Sequence, residues 1–147
     1  MQTSKRRTLQ LALRSVAALA LTTVPAVGAH AQGARHKAVF QVSDGEPQKW
    51  NLALNNVRNV QEDLGAENVD LEIVAYGPGI GMLKGDSPVA SRVADALKRG
   101  VKVVACENTM RGQKLVYGDM LPNIGYVPAG VTELMKKQGE GYAYIRP

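Results

Sequence analysis

The order of apolar and polar residues predicts strands and helices that alternate along the chain. Runs at residues 38–42, 69–76 and 100–106 predict strands, and the last run, which is short, apolar and β-branched, is typical of a strand buried on both faces of a parallel sheet. The run at 69–76 alternates apolar and acidic residues in its first half and is continuously apolar in its second half. Between the first two runs, apolar residues recur at three- and four-residue steps, which predicts a helix with one buried face, and Gly65 ends it. The apolar stripe of this helix consists of Trp50, Leu54, Val57, Val60 and Leu64.

A second helix is predicted between the second and third strands. Ser87 is its expected cap, Pro88 its expected first residue, and Gly100 follows its end. Two consecutive strand–helix–strand units imply a parallel sheet with right-handed crossovers.

The elements predicted in the C-terminal third are shorter. They are a short helix within residues 108–117, a strand at 124–127, a last helix around Leu134 and a closing strand at 142–145. We therefore expect one α/β domain of three layers, in which a mostly parallel five-stranded sheet is flanked by helices.

The first 31 residues have the pattern of a secretory signal peptide. A basic start without acidic residues precedes an apolar stretch, and Ala29, His30 and Ala31 form an A-x-A cleavage pattern. Arg14 interrupts the apolar stretch and leaves too few residues after it for a membrane span. We expect cleavage near Gln32, a mature domain of residues 32–147, and a periplasmic or secreted protein without a stable membrane anchor. The adjacent Arg6 and Arg7 resemble a twin-arginine signal, which leaves the export route open.

Removal of this segment changes the charge of the protein. The chain carries 18 basic and 13 acidic residues, and the first 31 residues contain four of the basic ones and none of the acidic ones. The mature part is therefore left with 14 basic residues against 13 acidic ones, a net charge of +1. Nucleic-acid binding is not expected, since it needs a basic surface that survives processing.

Cys106, the only cysteine of the chain, is the principal candidate for chemistry. It falls at the carboxyl end of a predicted strand, where ligands and reactive groups collect in open α/β sheets. Asn108 and Thr109 are expected to cap the helical turn that follows, and a thiol near free helix N–H groups has a lowered pKa and becomes nucleophilic. The alternative is an inert, buried cysteine that only fills space.

The glycine-rich stretch after the second strand is expected at the same sheet edge as Cys106. Gly77, Gly79 and Gly81 do not have the spacing of a dinucleotide-binding or phosphate-binding loop, but they permit a small concavity of backbone N–H groups that accepts an anion. His36 is the only histidine of the mature chain, which leaves one possible base for cysteine–histidine catalysis and too few ligands for a zinc site. No cofactor is expected.

Four segments resemble the DsrE/DsrF-like family of small α/β proteins of sulfur metabolism. They are residues 74–80, 100–110, 126–131 and 138–147, of which the Cys-x-Asn-Thr-Met element and the Gly-Tyr-Ala-Tyr ending are the most specific. The resemblance implies a DsrE-like fold, assembly into trimers or hexamers and, in relay members, a cysteine that carries sulfur as a persulfide. In those relay members the transfer cysteine opens the helix that ends in an Ala-Leu-basic-basic-Gly run. Here the helix before Gly100 has no cysteine, so Cys106 lies at a different strand end.

The residues and the resemblance together give a functional hypothesis. Cys106 would accept a sulfane sulfur and pass it to the thiol of a donor or acceptor partner, which is at most a carrier or transferase-like activity. The predicted binding residues are Asn108, Thr109, Met110, Arg111, Gly77 and Gly79.

Two alternatives to the carrier hypothesis remain open. One is an oligomeric ligand-binding or interaction module with a structural cysteine. The other is a Cu(I) site formed by Cys106 and Met110, which are soft ligands one helical turn apart.

Overall fold

The computed structural model describes residues 36–147, which form a five-stranded sheet with helices on both faces. Every pair of neighbouring strands is parallel, and the strand order is β4-β3-β2-β1-β5. The predicted α/β architecture is therefore confirmed, and the sheet is wholly rather than mostly parallel. The strands are β1 (His36–Val42), β2 (Val69–Ala75), β3 (Lys102–Cys106), β4 (Gly125–Val127) and β5 (Ala143–Ile145).

The four α-helices are distributed unequally over the two faces of the sheet. The α1 and α2 helices pack on one face, where Phe40 and Ile73 are completely buried within the larger apolar core. On the other face, Leu134 of α4 packs with Val39 and Val74 in a small second cluster. The helices are α1 (Pro47–Leu64), α2 (Ala90–Lys98), α3 (Glu107–Gly112) and α4 (Gly130–Gly139).

The start of α2 differs from the prediction. The helix begins at Ala90 rather than at Pro88, and Ser87 lies in a turn before it. The Ser87 hydroxyl accepts a weak hydrogen bond from the Val89 backbone N–H at 3.4 Å, and its own N–H donates to the Lys84 carbonyl at 3.0 Å. Ser87 is therefore used by a buried turn and does not cap the helix.

Two further segments differ from the expectation. The first strand begins at His36 rather than at residue 38, and His36 pairs with Val69 of β2. The glycine-rich stretch forms a 3₁₀-helix, Gly77–Leu83, rather than an open loop. The predicted signal peptide and its cleavage site lie outside the described residues. No helix within residues 36–147 has the length and apolarity needed to cross a membrane.

Candidate functional site

Cys106 is the last residue of β3 and lies at the carboxyl edge of the sheet, as predicted. Its side chain is on the face covered by α4, because the preceding residue, Ala105, belongs to the core under α1 and α2. Only 4% of Cys106 is exposed, so the thiol is buried beneath the chain segments that follow β3 and β4.

The N-termini of α3 and α4 both lie next to the Cys106 sulfur. Cys106 is itself the N-cap residue of α3, and the backbone N–H of Gly130, the first residue of α4, donates a hydrogen bond to Sγ at 3.2 Å. The Asn108 N–H donates to the Pro128 carbonyl at 3.1 Å and so ties the start of α3 to the chain that leads into α4. The positive ends of two helix dipoles therefore meet at one thiol.

These surroundings favour the ionised form of the cysteine. Burial raises the pKa of Cys106, but hydrogen bonds from the Thr109 hydroxyl and from the N–H groups of Thr109 and Gly130 outweigh it. The pKa of the thiol consequently lies below its ordinary value. The site therefore favours a thiolate on Cys106.

The glycine-rich segment reaches Cys106 through Thr109. The Gly77 N–H donates to Thr109 Oγ1 at 2.9 Å, and the Gly77 carbonyl accepts from Gln113 Nε2 at 3.2 Å. The Gly79 N–H donates to the Ser43 and Tyr76 carbonyls at 3.1 and 3.0 Å. The prediction that this segment forms an anion-accepting concavity is therefore wrong for Gly77 and Gly79, because both of their N–H groups donate to acceptors within the protein.

The other predicted binding residues do not lie together around Cys106. Met110 is buried in the core under α1 and α2, on the side of the sheet opposite Cys106, which does not favour a shared Cu(I) site. The Asn108 side chain accepts a hydrogen bond from the exposed Arg111 guanidinium. Asn108 and Thr109 are inside α3 rather than at its cap, because Cys106 occupies the N-cap position. Of the predicted set, only Thr109 donates hydrogen bonds to the sulfur.

Neither histidine catalysis nor a metal cluster is supported by the described part of the chain. His36 begins β1 at the amino edge of the sheet, whereas Cys106 ends β3 at the carboxyl edge. Within residues 36–147, no group of three or more His, Cys, Asp or Glu side chains is placed to hold a metal ion.

Gly130 is the site residue that the sequence analysis missed. Its N–H contacts the sulfur across 24 positions of chain, which no local periodicity can indicate. A Cβ at this position would lie 3.0 to 3.1 Å from three carbons of Tyr76, so a glycine allows the helix to approach closely. Two sequence signals pointed to it: its place in the family-like segment 126–131, and a small residue at the start of a helix that follows a strand ending at the same sheet edge.

Comparison with known proteins identifies the family. The chain matches the DsrE/DsrF-like family over residues 36–147. A search of curated proteins gave no significant match.

Several solved structures are similar. The protein of unknown function MTH1491 from Methanobacterium thermoautotrophicum is 36% identical, with a TM-score of 0.73 over 76% of this chain and 99% of that one. The ychN protein from E. coli has 15% identity and a TM-score of 0.62 over 76% and 99% of the two chains. The protein BT1422 from Bacteroides thetaiotaomicron has 13% identity and a TM-score of 0.63 over 76% and 94%. The last two show the fold alone. The chain thus belongs to the DsrE/DsrF-like family, and this membership indicates a protein of the sulfur-relay type.

Proposed function

We propose that the protein carries sulfane sulfur as a persulfide on Cys106 and passes it to the thiol of a partner. The observation that carries the proposal is the set of donors around Sγ, in which the Thr109 hydroxyl and the Gly130 N–H stabilise an anion on sulfur. Such donors serve a nucleophilic thiol, whereas an inert core cysteine needs none.

The proposed loading step is a thiol exchange on a hydropolysulfide. The Cys106 thiolate attacks the terminal sulfur of HS–S–S–S⁻, and the bond between this sulfur and the next one breaks. The electron pair leaves with the shortened polysulfide, S₃²⁻, and the cysteine becomes Cys–S–SH. In the discharge step, the thiolate of the partner attacks the outer sulfur and the Cys106 thiolate leaves. Neither step needs an external oxidant.

A structural cysteine in a binding module is the second candidate, and the burial of Cys106 favours it. The two candidates make opposite predictions. A carrier thiol should be alkylated by iodoacetamide in the native protein, with a midpoint below the value of about 8.5 for a free thiol. A structural thiol should react only after denaturation.

The decisive experiment is sulfur loading followed by mass spectrometry. Polysulfide treatment of the native protein should add the mass of one sulfur, which a reductant removes. Both Cys106→Ser and Cys106→Ala should abolish the gain, and the alanine variant avoids burying a new hydroxyl. If the native thiol stays unmodified by polysulfide and by iodoacetamide, the carrier function is overturned and the structural role is retained.

We further propose a periplasmic or secreted homo-oligomer. An exposed apolar pair on α4, Val131 and Met135, and the half-exposed Tyr144 of the edge strand β5 provide apolar area for self-association. Light scattering on residues 32–147 should give a trimer or hexamer, and a monomer at micromolar concentration would contradict this.

A further inference from the structure

The α4 helix is fixed to the sheet through one narrow stripe of residues. Gly130 and Leu134 are its two buried residues, and Lys137 continues the same stripe with a side chain that is only 13% exposed. Gly130 contacts the Cys106 sulfur, Leu134 packs with Val39 and Val74, and Lys137 reaches β2. The position of the Gly130 N–H therefore depends on few contacts.

The charged contact in this stripe crosses between two elements. Lys137 Nζ lies 3.4 Å from Glu72 Oε2 in the centre of β2, and the Glu72 side chain is 3% exposed. Lys137 also lies 3.7 Å from Glu133 and 3.3 Å from Glu140, but these two residues belong to α4 itself or to its C-cap. Among these three carboxylates, only Glu72 links the ammonium group to the sheet.

A buried carboxylate in this position is unfavourable by itself. Glu72 Oε1 has no hydrogen-bond donor among residues 36–147, and burial raises the pKa of Glu72 against the opposing effect of Lys137. A buried ion pair with an unsatisfied oxygen contributes little net stability compared with an apolar pair of the same volume. Its directional geometry, in contrast, specifies where the helix lies along the strand.

We propose that Glu72 and Lys137 are positioning residues for Cys106, because their ion pair holds α4 where the Gly130 N–H contacts the sulfur. Lys137 lies seven positions after Gly130 in α4, which corresponds to about 10 Å of helix. Because the helix is rigid, a shift at the Lys137 end also moves the Gly130 end. The inference rests on the proposed function for its biological meaning, but not for its test.

Other charged groups lie around the ion pair and must be considered in any pH-dependent measurement. Asp70 lies two residues before Glu72 on the same face of β2, and its carboxylate contacts Lys102 Nζ at 3.1 Å and the Tyr142 hydroxyl at 2.6 Å. The Tyr142 ring lies under Lys137 and Lys37, whose ammonium groups are 5.0 and 5.5 Å from its centre. Glu72 is in register with Lys102, about four strand residues or roughly 13 Å before Cys106, and Asp70 lies two residues further toward the amino end of β2. The direct fields of these groups at the sulfur are therefore weak.

The Glu72→Met variant separates positioning from electrostatics. Loss of a negative charge alone lowers the pKa of a thiol, whereas loss of the Gly130 hydrogen bond raises it. We expect the alkylation midpoint of Cys106 to rise by about one pH unit. The matched control is Glu133→Met, which removes the same charge from the same cluster and leaves the link between helix and sheet intact. Its midpoint should stay unchanged or fall.

The NMR amide signal of Gly130 gives a second readout. In the native protein it should shift as Cys106 titrates, and this shift should be lost in Glu72→Met and retained in Glu133→Met. Lys137→Met tests the same link from the helix side if Glu72→Met does not fold. Because loss of a positive charge alone raises the pKa of a thiol, its readout is the Gly130 signal, which should no longer follow the thiol. A midpoint that falls in Glu72→Met, or a Gly130 signal that still follows the thiol there, would overturn the proposal. Neither readout involves sulfur transfer, so the positioning role and the carrier function can fail separately.

Discussion

The hydroxyl of Thr109 accepts a hydrogen bond from the Gly77 backbone N–H at 2.9 Å. This contact joins the first turn of α3 to the segment after β2, and it occupies a lone pair of the hydroxyl oxygen. The hydroxyl keeps its one proton to donate, and its hydrogen bond to the Cys106 sulfur contributes to the lowered pKa of the thiol. Gly77 therefore acts on the thiol through Thr109.

Removal of the Thr109 hydroxyl should raise the pKa of Cys106. In Thr109→Val the sulfur loses one donor, and we expect the alkylation midpoint to rise by about one pH unit. Thr109→Ser keeps the hydroxyl and should stay within a few tenths of a unit of the native midpoint. An equal midpoint in the valine and serine variants would contradict the role of this hydroxyl.

Gly79 should be intolerant of any side chain. A Cβ at this position would lie 2.2 Å from the Val42 carbonyl oxygen, and the backbone at the end of β1 cannot move away without breaking the sheet. Gly79→Ala should lower the free energy of unfolding by about 3 kcal/mol or more, measured by urea denaturation. The control is Gly139→Ala at the end of α4, where no atom lies within 4 Å of the new carbon. Its stability should change by less than about 1 kcal/mol, and an equally mild effect at Gly79 would refute the prediction.

The sequence predicted what depends on local periodicity. The alternation of strands with helices and the buried face of α1 at Trp50, Leu54 and Val57 follow from apolar spacing, and the structure confirms them. The end of the predicted stripe differs, because Val60 is only partly buried and Leu64, the last residue of the helix, is exposed. The partners of backbone N–H groups were not predictable. Gly77 and Gly130 find acceptors 32 and 24 residues away, and these choices depend on which strand ends become neighbours in the sheet.

The buried Glu72 is a second limit of sequence analysis. Apolar and acidic residues alternate in the first half of β2, a pattern typical of a strand with one face in solvent, but Lys137 and the rest of α4 cover Glu72. Alternation indicates which residues share a face of the sheet. It does not indicate whether a helix later covers that face.

Asp70 should make stability depend on pH in the acid range. Burial raises the pKa of Asp70, but hydrogen bonds from Tyr142 and Lys102 outweigh it and leave the pKa below its ordinary value. A carboxyl whose pKa is lower in the folded state stabilises the fold above its unfolded pKa of about 3.9. This contribution is lost as the pH falls through the folded pKa.

The Asp70→Asn variant tests this dependence. Its unfolding free energy should be lower than that of the native protein at about pH 7, by no more than about 1 kcal/mol because the group is near the surface. The difference should shrink when urea denaturation is repeated in acid, at a pH below the lowered pKa of folded Asp70, because the native carboxyl is then protonated. A deficit that is the same at both pH values would show that the charge of Asp70 is not the cause.

Processing of the chain should leave a terminus at or near Gln32. The acid-free basic start, the apolar stretch and the Ala29, His30 and Ala31 sequence motivate the prediction. Mass spectrometry of the protein purified from its native compartment is the measurement. A cytoplasmic species that retains Met1 would contradict both the cleavage and the periplasmic location.

The place of β5 in the sheet also determines when the sheet can be completed. Residues 143–145 pair with residues 38–40 of β1, so one whole side of β1 has no strand partner until the C-terminal segment has been synthesised. A growing chain can therefore form the β1–β2–β3 unit early, but it keeps an open strand edge during most of its synthesis. Closure is necessarily a late step, because it joins segments about a hundred residues apart and must first overcome the entropy of that loop. Pairing of this three-residue strand with β1 thus ends the period in which the open edge of the nascent chain can associate with the wrong partner.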